Sequence, residues 1–210
     1  MSLNEALAKL RAMPTLVVRT NDAAALWNVS RATASTMLAR LARVGHLTRL
    51  VRGLWLLDRQ ANPWTLHPYL SDPSPSYVSL QTALFHHGMI EQIPTTIHLV
   101  STAKTRTAKT TVGTYAIHQV VPDFFCGFEP LAGGPAQIAT PEKALVDFFY
   151  LRQTRSRSFR ALPELELPKG FRMQRALGYA KLITSDSRRQ MVKELLRLTQ
   201  LIMSPSGRLK

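Results

Sequence analysis

The stretch that decides the fold runs from Ser30 to Gly45 and reads SRATASTMLARLARVG. Serine is a favoured residue before a helix and glycine a favoured residue just after one, so we expect a helix between these two positions. The apolar residues of this helix recur at helical spacing and predict a buried stripe made of Ala34, Met37, Leu38, Leu41 and Val44. The face opposite this stripe is polar and basic, mostly towards the N-terminal end of the helix.

Two shorter helices are predicted before this one. The first begins at Leu3 and ends near Ala12, because its apolar pattern stops before Pro14. The second begins behind the polar run Thr20 to Asp22, whose side chains suit a helix start, and ends before Asn28. A short turn over Asn28 to Ser30 then joins two helices, which is the pattern of a helix-turn-helix.

Two short extended runs follow, His46 to Leu50 and Leu54 to Leu57, joined through Gly53. Arg49 and Arg52 lie near the tip of the predicted hairpin. The order of elements predicts a winged helix over residues 1–60; a small helical domain with a purely structural hairpin is the alternative. The second run has no polar face, so we expect the C-terminal domain to cover it.

The polar face of the third helix predicts contacts to base edges in a DNA major groove. Arg31 is suited to guanine, and the small side chain of Ala32 allows close approach. The predicted base contacts are Arg31, Ala32, Thr33, Ser35 and Thr36. Further along the helix and in the hairpin, phosphate contacts are predicted from Arg40, Arg43, Arg49 and Arg52.

The charge of the chain favours a polyanionic partner. Its 27 Lys and Arg against 13 Asp and Glu give a formal net charge of +14, although a merely cationic surface is the plainer interpretation. Residues 1–60 carry a net +6, residues 61–150 a net −2 and residues 151–210 a net +10. No apolar run is long enough to cross a membrane, and the single cysteine, Cys126, suits a cytoplasmic protein.

The second half predicts a mixed helix and sheet domain with a helical tail, so the fold class is α+β. Proline and serine density marks residues 61–76 as a linker, which leaves residues 77–210 for this domain. The runs 95–100 and 114–121 are expected to pair as strands, and Thr140-Pro141-Glu142 is a typical helix start. In the tail, Arg189, Lys193 and Arg197 recur every fourth residue and form either a phosphate track or a solvated basic face.

No arrangement of residues predicts an enzyme, a cofactor or a metal site. His86 and His87 are adjacent and point apart on a helix, and neither His98 nor His118 has a carboxylate or cysteine at ligand spacing. Glu142 and Asp147 are five residues apart, which puts them on different faces of their helix and argues against an acid and base pair.

With these residues in view, the chain resembles the AbiEi family of antitoxins and regulators. The resemblance covers about residues 3–150, and its most specific part is Thr140 to Asp147, TPEKALVD. The other matching stretches are Arg52 to Trp55, Tyr77 to Leu84, His87 to Met89 and Ile97 to Thr102.

The resemblance implies a repressor that binds inverted repeats in the promoter of its own toxin-antitoxin operon. It also implies that the C-terminal domain counteracts a nucleotidyltransferase-like AbiEii toxin, commonly without a stable complex. Two alternatives stay open: an RNA-binding antitoxin whose basic tail masks the toxin's nucleic-acid substrate, and a nuclease or transferase that depends on Glu142 or Asp147.

Overall fold

The fold is mixed α+β in the computed structural model, which describes residues 1–131, 136–151 and 165–203. N-terminal helices pack with a small three-stranded sheet, a six-stranded mixed sheet follows, and further helices lie at the C-terminal end. Within these described ranges, no helix combines the length and the apolar character that crossing a membrane requires.

The N-terminal region has three helices around one apolar core. The small sheet is antiparallel and has the order β1-β3-β2. The core includes Leu10, Trp27, Leu38 and Leu41, all buried. The elements in chain order are α1 (Leu3–Arg11), β1 (Val17–Arg19), α2 (Thr20–Trp27), α3 (Arg31–Arg43), β2 (Thr48–Val51) and β3 (Leu54–Leu56).

The predicted order of helices and hairpin is confirmed in this region, with two differences. Strand β1 was not predicted, because three residues that run directly into a helix carry no periodic signal of their own. Val44 is 57% exposed, although the apolar stripe placed it inward. Helix α3 ends at Arg43 and Gly45 turns the chain with a φ of 85°, so Val44 lies past the buried face.

The six-stranded sheet forms the centre of the second region, with strand order β6-β7-β5-β4-β9-β8. Strands β5 and β7 pair in parallel, which confirms the predicted pairing of these two runs. Strand β6 occupies the polar stretch between them. The strands are β4 (Ser76–Val78), β5 (Thr96–Ser101), β6 (Arg106–Thr110), β7 (Gly113–Gln119), β8 (Phe128–Pro130) and β9 (Gln137–Ala139).

Helices pack on this sheet and on one another. Helix α5 (Leu80–His86) contacts α6 (Pro141–Leu151), and α6 also contacts α7 (Met173–Lys181) and α8 (Asp186–Met203). The predicted start at Thr140 and Pro141 is confirmed, since the Thr140 hydroxyl lies 3.4 Å from the backbone nitrogen of Lys143. Nearly every described side chain of α6 is buried, which makes it the central helix of the region.

The segment predicted as a linker is folded. It contains a 3-10 turn at Pro63–Leu66 and a short helix, α4 (His67–Ser71). Leu66 and Leu70 are buried, and the Tyr115 hydroxyl donates to the Pro63 carbonyl at 2.8 Å. Proline density marked the segment as irregular, but its apolar residues between the prolines supply enough burial to order it.

The apolar strand β3 is covered on both faces. Trp55 points into the N-terminal core, whereas Leu56 packs with Leu66 in a smaller cluster and Leu54 packs against the core of the second region. Val112, beside the β6–β7 turn, packs against that smaller cluster. The C-terminal domain therefore covers this strand only in part, through the contacts of Leu54 and Val112, while the N-terminal core and Leu66 supply the rest.

Candidate nucleic-acid interface

Helix α3 is held with one face in the core and the other in solvent. The Ser30 hydroxyl accepts from the backbone N–H of Thr33 at 3.1 Å, so the helix begins as its N-cap predicts. Ala34, Leu38 and Leu41 are buried at the spacing of one helical face. Met37 and Ala42 are half-buried against the same core, and the remaining positions project outward because the buried stripe fixes the rotation of the helix.

All five predicted base-contact residues are exposed: Arg31, Ala32, Thr33, Ser35 and Thr36. Two of their hydroxyls have local partners. Thr33 shares a hydrogen bond with the Ser30 hydroxyl at 2.9 Å, and Thr36 donates to the Ala32 carbonyl at 3.1 Å. Each hydroxyl oxygen has a second lone pair and remains a possible acceptor for a base amine.

A groove of about 510 Å³ separates the N-terminal half of α3 from the β2–β3 hairpin. The two exposed arginines of the hairpin line this groove together with one arginine of the helix. The Arg49 guanidinium sits 5.7 Å from the centre of the Trp55 ring, which holds the side chain along the hairpin. The predicted residues that line this groove are Arg31, Ala32, Ser35, Arg49 and Arg52.

Arg40 and Arg43 line a different groove. This second groove, of about 550 Å³, lies between α3 and the start of α1, and Thr33 and Met37 also line it. Helix α3 thus presents two sides to solvent, one bordered by the hairpin and one bordered by α1. A duplex lying along α3 would meet cations on both sides.

The three basic residues predicted as a track on the tail, Arg189, Lys193 and Arg197, differ in their exposure. Arg189 is half-buried, and its guanidinium donates to the Ile183 carbonyl at 2.7 Å and pairs with Asp186. Lys193 is half-buried, while Arg197 is exposed. Arg189 therefore stabilises the junction between α7 and α8 through partners within the protein, whereas the fourth-residue spacing predicted an outward track.

Comparison of the sequence with known families and proteins gives no match. No family model matches the chain, and no curated protein matches it. The resemblance to AbiEi antitoxins accordingly stays a prediction that rests on the quoted stretches of sequence.

The most specific of those stretches contributes a buried ion pair. Lys143 and Asp147 lie one turn apart on α6, and both side chains are 0% exposed. The Lys143 ammonium contacts the Asp147 carboxylate, donates to the Tyr77 hydroxyl at 3.0 Å and lies 3.7 Å from the centre of the Phe124 ring. Tyr77 and Ser79 donate to the same carboxylate oxygen, at 3.0 and 2.7 Å.

Burial raises the pKa of Asp147, and the adjacent Lys143 ammonium opposes that rise. Burial also raises the pKa of the Tyr77 hydroxyl. The named members of this network are all buried, so the network stabilises the packing of the sheet and the helix. Sequence reasoning missed it; the available signal was a Lys and an Asp four residues apart in an otherwise apolar helix.

Glu142 does not join this network. Its side chain is nearly buried, with one carboxylate oxygen accepting from the Arg172 backbone at 3.0 Å and the other 3.8 Å from the Arg175 guanidinium. Glu142 and Asp147 therefore have separate partners, and the expectation that they do not act as an acid and base pair stays a prediction.

The buried histidines have protein partners. His67 Nε2 accepts from the backbone N–H of Gln137 at 3.0 Å, so its Nδ1–H donates to Ser76 at 2.7 Å. His98 and His118 lie 3.1 Å apart, ring nitrogen to ring nitrogen. Burial lowers the pKa of His67 to about 4, of His98 to about 3 and of His118 to about 4. In the part of the chain that the structure describes, no cluster of three or more ligand residues could hold a metal.

Proposed function

We propose that the protein is a DNA-binding antitoxin of the AbiEi type that represses its own toxin-antitoxin operon through a winged helix. The observation that carries the proposal is the polar N-terminal face of α3 beside a hairpin that bears two exposed arginines, with a groove between them. In this interpretation α3 is the recognition helix and the β2–β3 hairpin is the wing.

The arrangement of the N-terminal elements supports this assignment. A three-helix unit whose third helix is followed by a two-stranded hairpin, with a strand before the second helix completing the sheet, is the arrangement a winged helix requires. The helix lies with its N-terminal side chains outward, as reading of base edges needs. Arg31, Thr33 and Thr36 are the proposed base contacts, and Arg52 is a proposed phosphate contact.

Binding to duplex DNA tests the first part of the proposal. Fluorescence anisotropy would compare a duplex from the protein's own promoter with a scrambled duplex at moderate salt. We expect Arg31→Ala to weaken operator binding by about 1–3 kcal/mol and to relax discrimination at one base pair. Arg52→Ala is expected to weaken both duplexes alike, because a phosphate contact carries no sequence information.

Arg11→Ala is the matched control, since Arg11 is exposed at the end of α1 and lines neither groove beside α3. It removes one positive charge and is expected to leave discrimination unchanged. Equal affinity of the wild-type protein for operator and scrambled duplexes would contradict sequence-specific repression. The antitoxin role is tested in cells whose growth is stopped by a nucleotidyltransferase-like toxin encoded beside this protein. Co-expression of the protein is expected to restore the growth of these cells.

A second candidate function is RNA binding by the C-terminal helices. The supporting observation is a group of exposed cations on and before α7 and α8, comprising Lys169, Arg172, Arg175, Lys181, Arg188 and Arg197. Such a surface suits masking of the toxin's nucleic-acid substrate. Filter binding in which structured RNA is preferred to duplex DNA would favour this candidate over the first.

A further inference from the structure

A cleft of about 320 Å³ lies where the N-terminal region meets α4. The first turns of α2 and α3, the turn of the β2–β3 hairpin and the end of α4 all border it. Its charged lining consists of three arginines, Arg19, Arg31 and Arg52, and one carboxylate, Asp72. The cleft therefore carries a surplus of positive charge that favours an anion.

Arg19 is paired with Asp72 across this cleft. The guanidinium lies 3.0 Å from the carboxylate, and the two side chains are 40% and 46% exposed. An ion pair this open to water is weak, because solvent screens the attraction and both side chains lose freedom. A stronger anionic partner for Arg19 would replace Asp72 at little cost.

The backbone of Arg19 is fixed beside the hairpin. Arg19 pairs with Leu54 in the small sheet, and the next residue, Thr20, donates its N–H to the Gly53 carbonyl at 3.0 Å. These bonds join the start of α2 to the hairpin turn that follows Arg52. The three arginines of the cleft therefore come from elements that are held together, while Asp72 comes from the other side.

We propose that Arg19 is a further phosphate-binding residue, and that a phosphate of duplex DNA displaces Asp72 from it. The inference rests on the proposed function, since it takes duplex DNA to lie against α3 and the hairpin. Phosphate suits the position because a guanidinium can bind it through two parallel hydrogen bonds. Asp72 holds the Arg19 side chain in the absence of DNA and competes with DNA for it, so binding releases α4 from the N-terminal region at this point.

The experiment measures affinity for a duplex as a function of salt concentration in the full-length protein. Asp72→Asn is expected to tighten binding to operator and scrambled duplexes by about two- to fivefold, the range within which exposed ion pairs act. Arg19→Ala is expected to weaken binding and to reduce the slope of log affinity against log salt by about 1, whereas Arg19→Lys keeps that slope. Asp58→Asn is the matched control for charge, because Asp58 is exposed just after β3 and lines none of this cleft.

A double-mutant cycle distinguishes two ways in which Asp72 could weaken DNA binding. Asp72 could compete with phosphate for Arg19, or its negative charge could simply repel the DNA. If Asp72 acts through Arg19, adding Asp72→Asn to Arg19→Ala produces no further gain in affinity. A gain of the same size in that background, or an unchanged salt slope in Arg19→Ala, would overturn the inference. Failure to discriminate operator from scrambled DNA would count against the proposed function alone, because the salt slope is measured on either duplex. Thermal unfolding of each variant checks that the fold is kept.

Discussion

The N-terminal region and the six-stranded region differ in where their charged side chains lie. In residues 1–60 no charged side chain is buried, and most of the basic ones border the grooves or the cleft beside α3. In the six-stranded region, a lysine and an aspartate are wholly buried on α6 and three histidines are buried beside or within the sheet. Charges in water can change partners at small cost, whereas buried charges are tied to one arrangement. The exposed charges of the first region are therefore free to change partners, whereas the buried charges of the second region stabilise its fold.

The largest effect is expected from breaking the buried ion pair. Lys143→Met leaves the Asp147 carboxylate buried without its cation, and we expect the free energy of unfolding to fall by about 3–5 kcal/mol at neutral pH. The loss is expected to shrink at lower pH, because burial raises the pKa of Asp147 and protonation removes the unpaired charge. Urea unfolding at several pH values measures both effects.

Two variants control this result. Lys143→Met combined with Asp147→Leu is expected to recover part of the stability, because no unpaired charge then remains. Arg31→Met removes a cation from the exposed face of α3 and is expected to change stability by at most about 0.5 kcal/mol. If Lys143→Met were as mild as Arg31→Met, the contrast between the regions would be wrong.

A pair of glycine variants sharpens the same contrast. Gly127 and Gly53 both have positive φ, 75° and 86°. A Cβ on Gly127 would lie 2.7 Å from Tyr179 and 3.0 Å from Lys143, whereas a Cβ on Gly53 meets nothing within 4 Å. We expect Gly53→Ala to cost about 1–2 kcal/mol from backbone strain, and Gly127→Ala to cost about 2–4 kcal/mol, because overpacking adds to the same strain. Equal losses of thermal stability in the two variants would show that Tyr179 moves aside freely.

The last effect concerns pH and the buried histidines. The pKa of His67 is lowered to about 4, so between about pH 6.5 and pH 4 the unfolded chain binds a proton that the folded chain does not. Stability therefore falls as the pH drops through that range, by up to about 1.4 kcal/mol per pH unit for each such histidine. His98 and His118 have lowered pKa values as well and add to the slope.

His67→Gln is expected to reduce that slope by about one proton, measured as the free energy of unfolding between pH 7 and pH 5. His46→Gln is the matched control, because His46 is the exposed histidine of the N-terminal region. If His67→Gln left the slope of the free energy of unfolding against pH unchanged, His67 would have the same pKa in the folded and unfolded protein.

Local signals predicted the N-terminal region better than the second region. The cap at Ser30, the stripe on α3 and the glycine at position 53 each act within a few residues, so sequence alone identified the helix, its exposed face and the hairpin. Strand β1 and the Arg19–Asp72 pair depend on partners more than 30 residues away. The network of Tyr77, Lys143 and Asp147 likewise joins a strand to a helix over 60 residues later, and spacing along the chain carries no record of such contacts.

Strand β3 contributes side chains to separate apolar clusters of the protein. Trp55 packs in the N-terminal core, Leu56 in the smaller cluster with Leu66, and Leu54 against the core of the second region, so displacing the strand would disturb all three clusters. A ligand that binds the hairpin only in the folded protein is expected to stabilise the six-stranded sheet as well, because it shifts the folding equilibrium of the whole chain. If duplex DNA binds the N-terminal region as proposed, the six-stranded region is expected to unfold at a higher temperature as well.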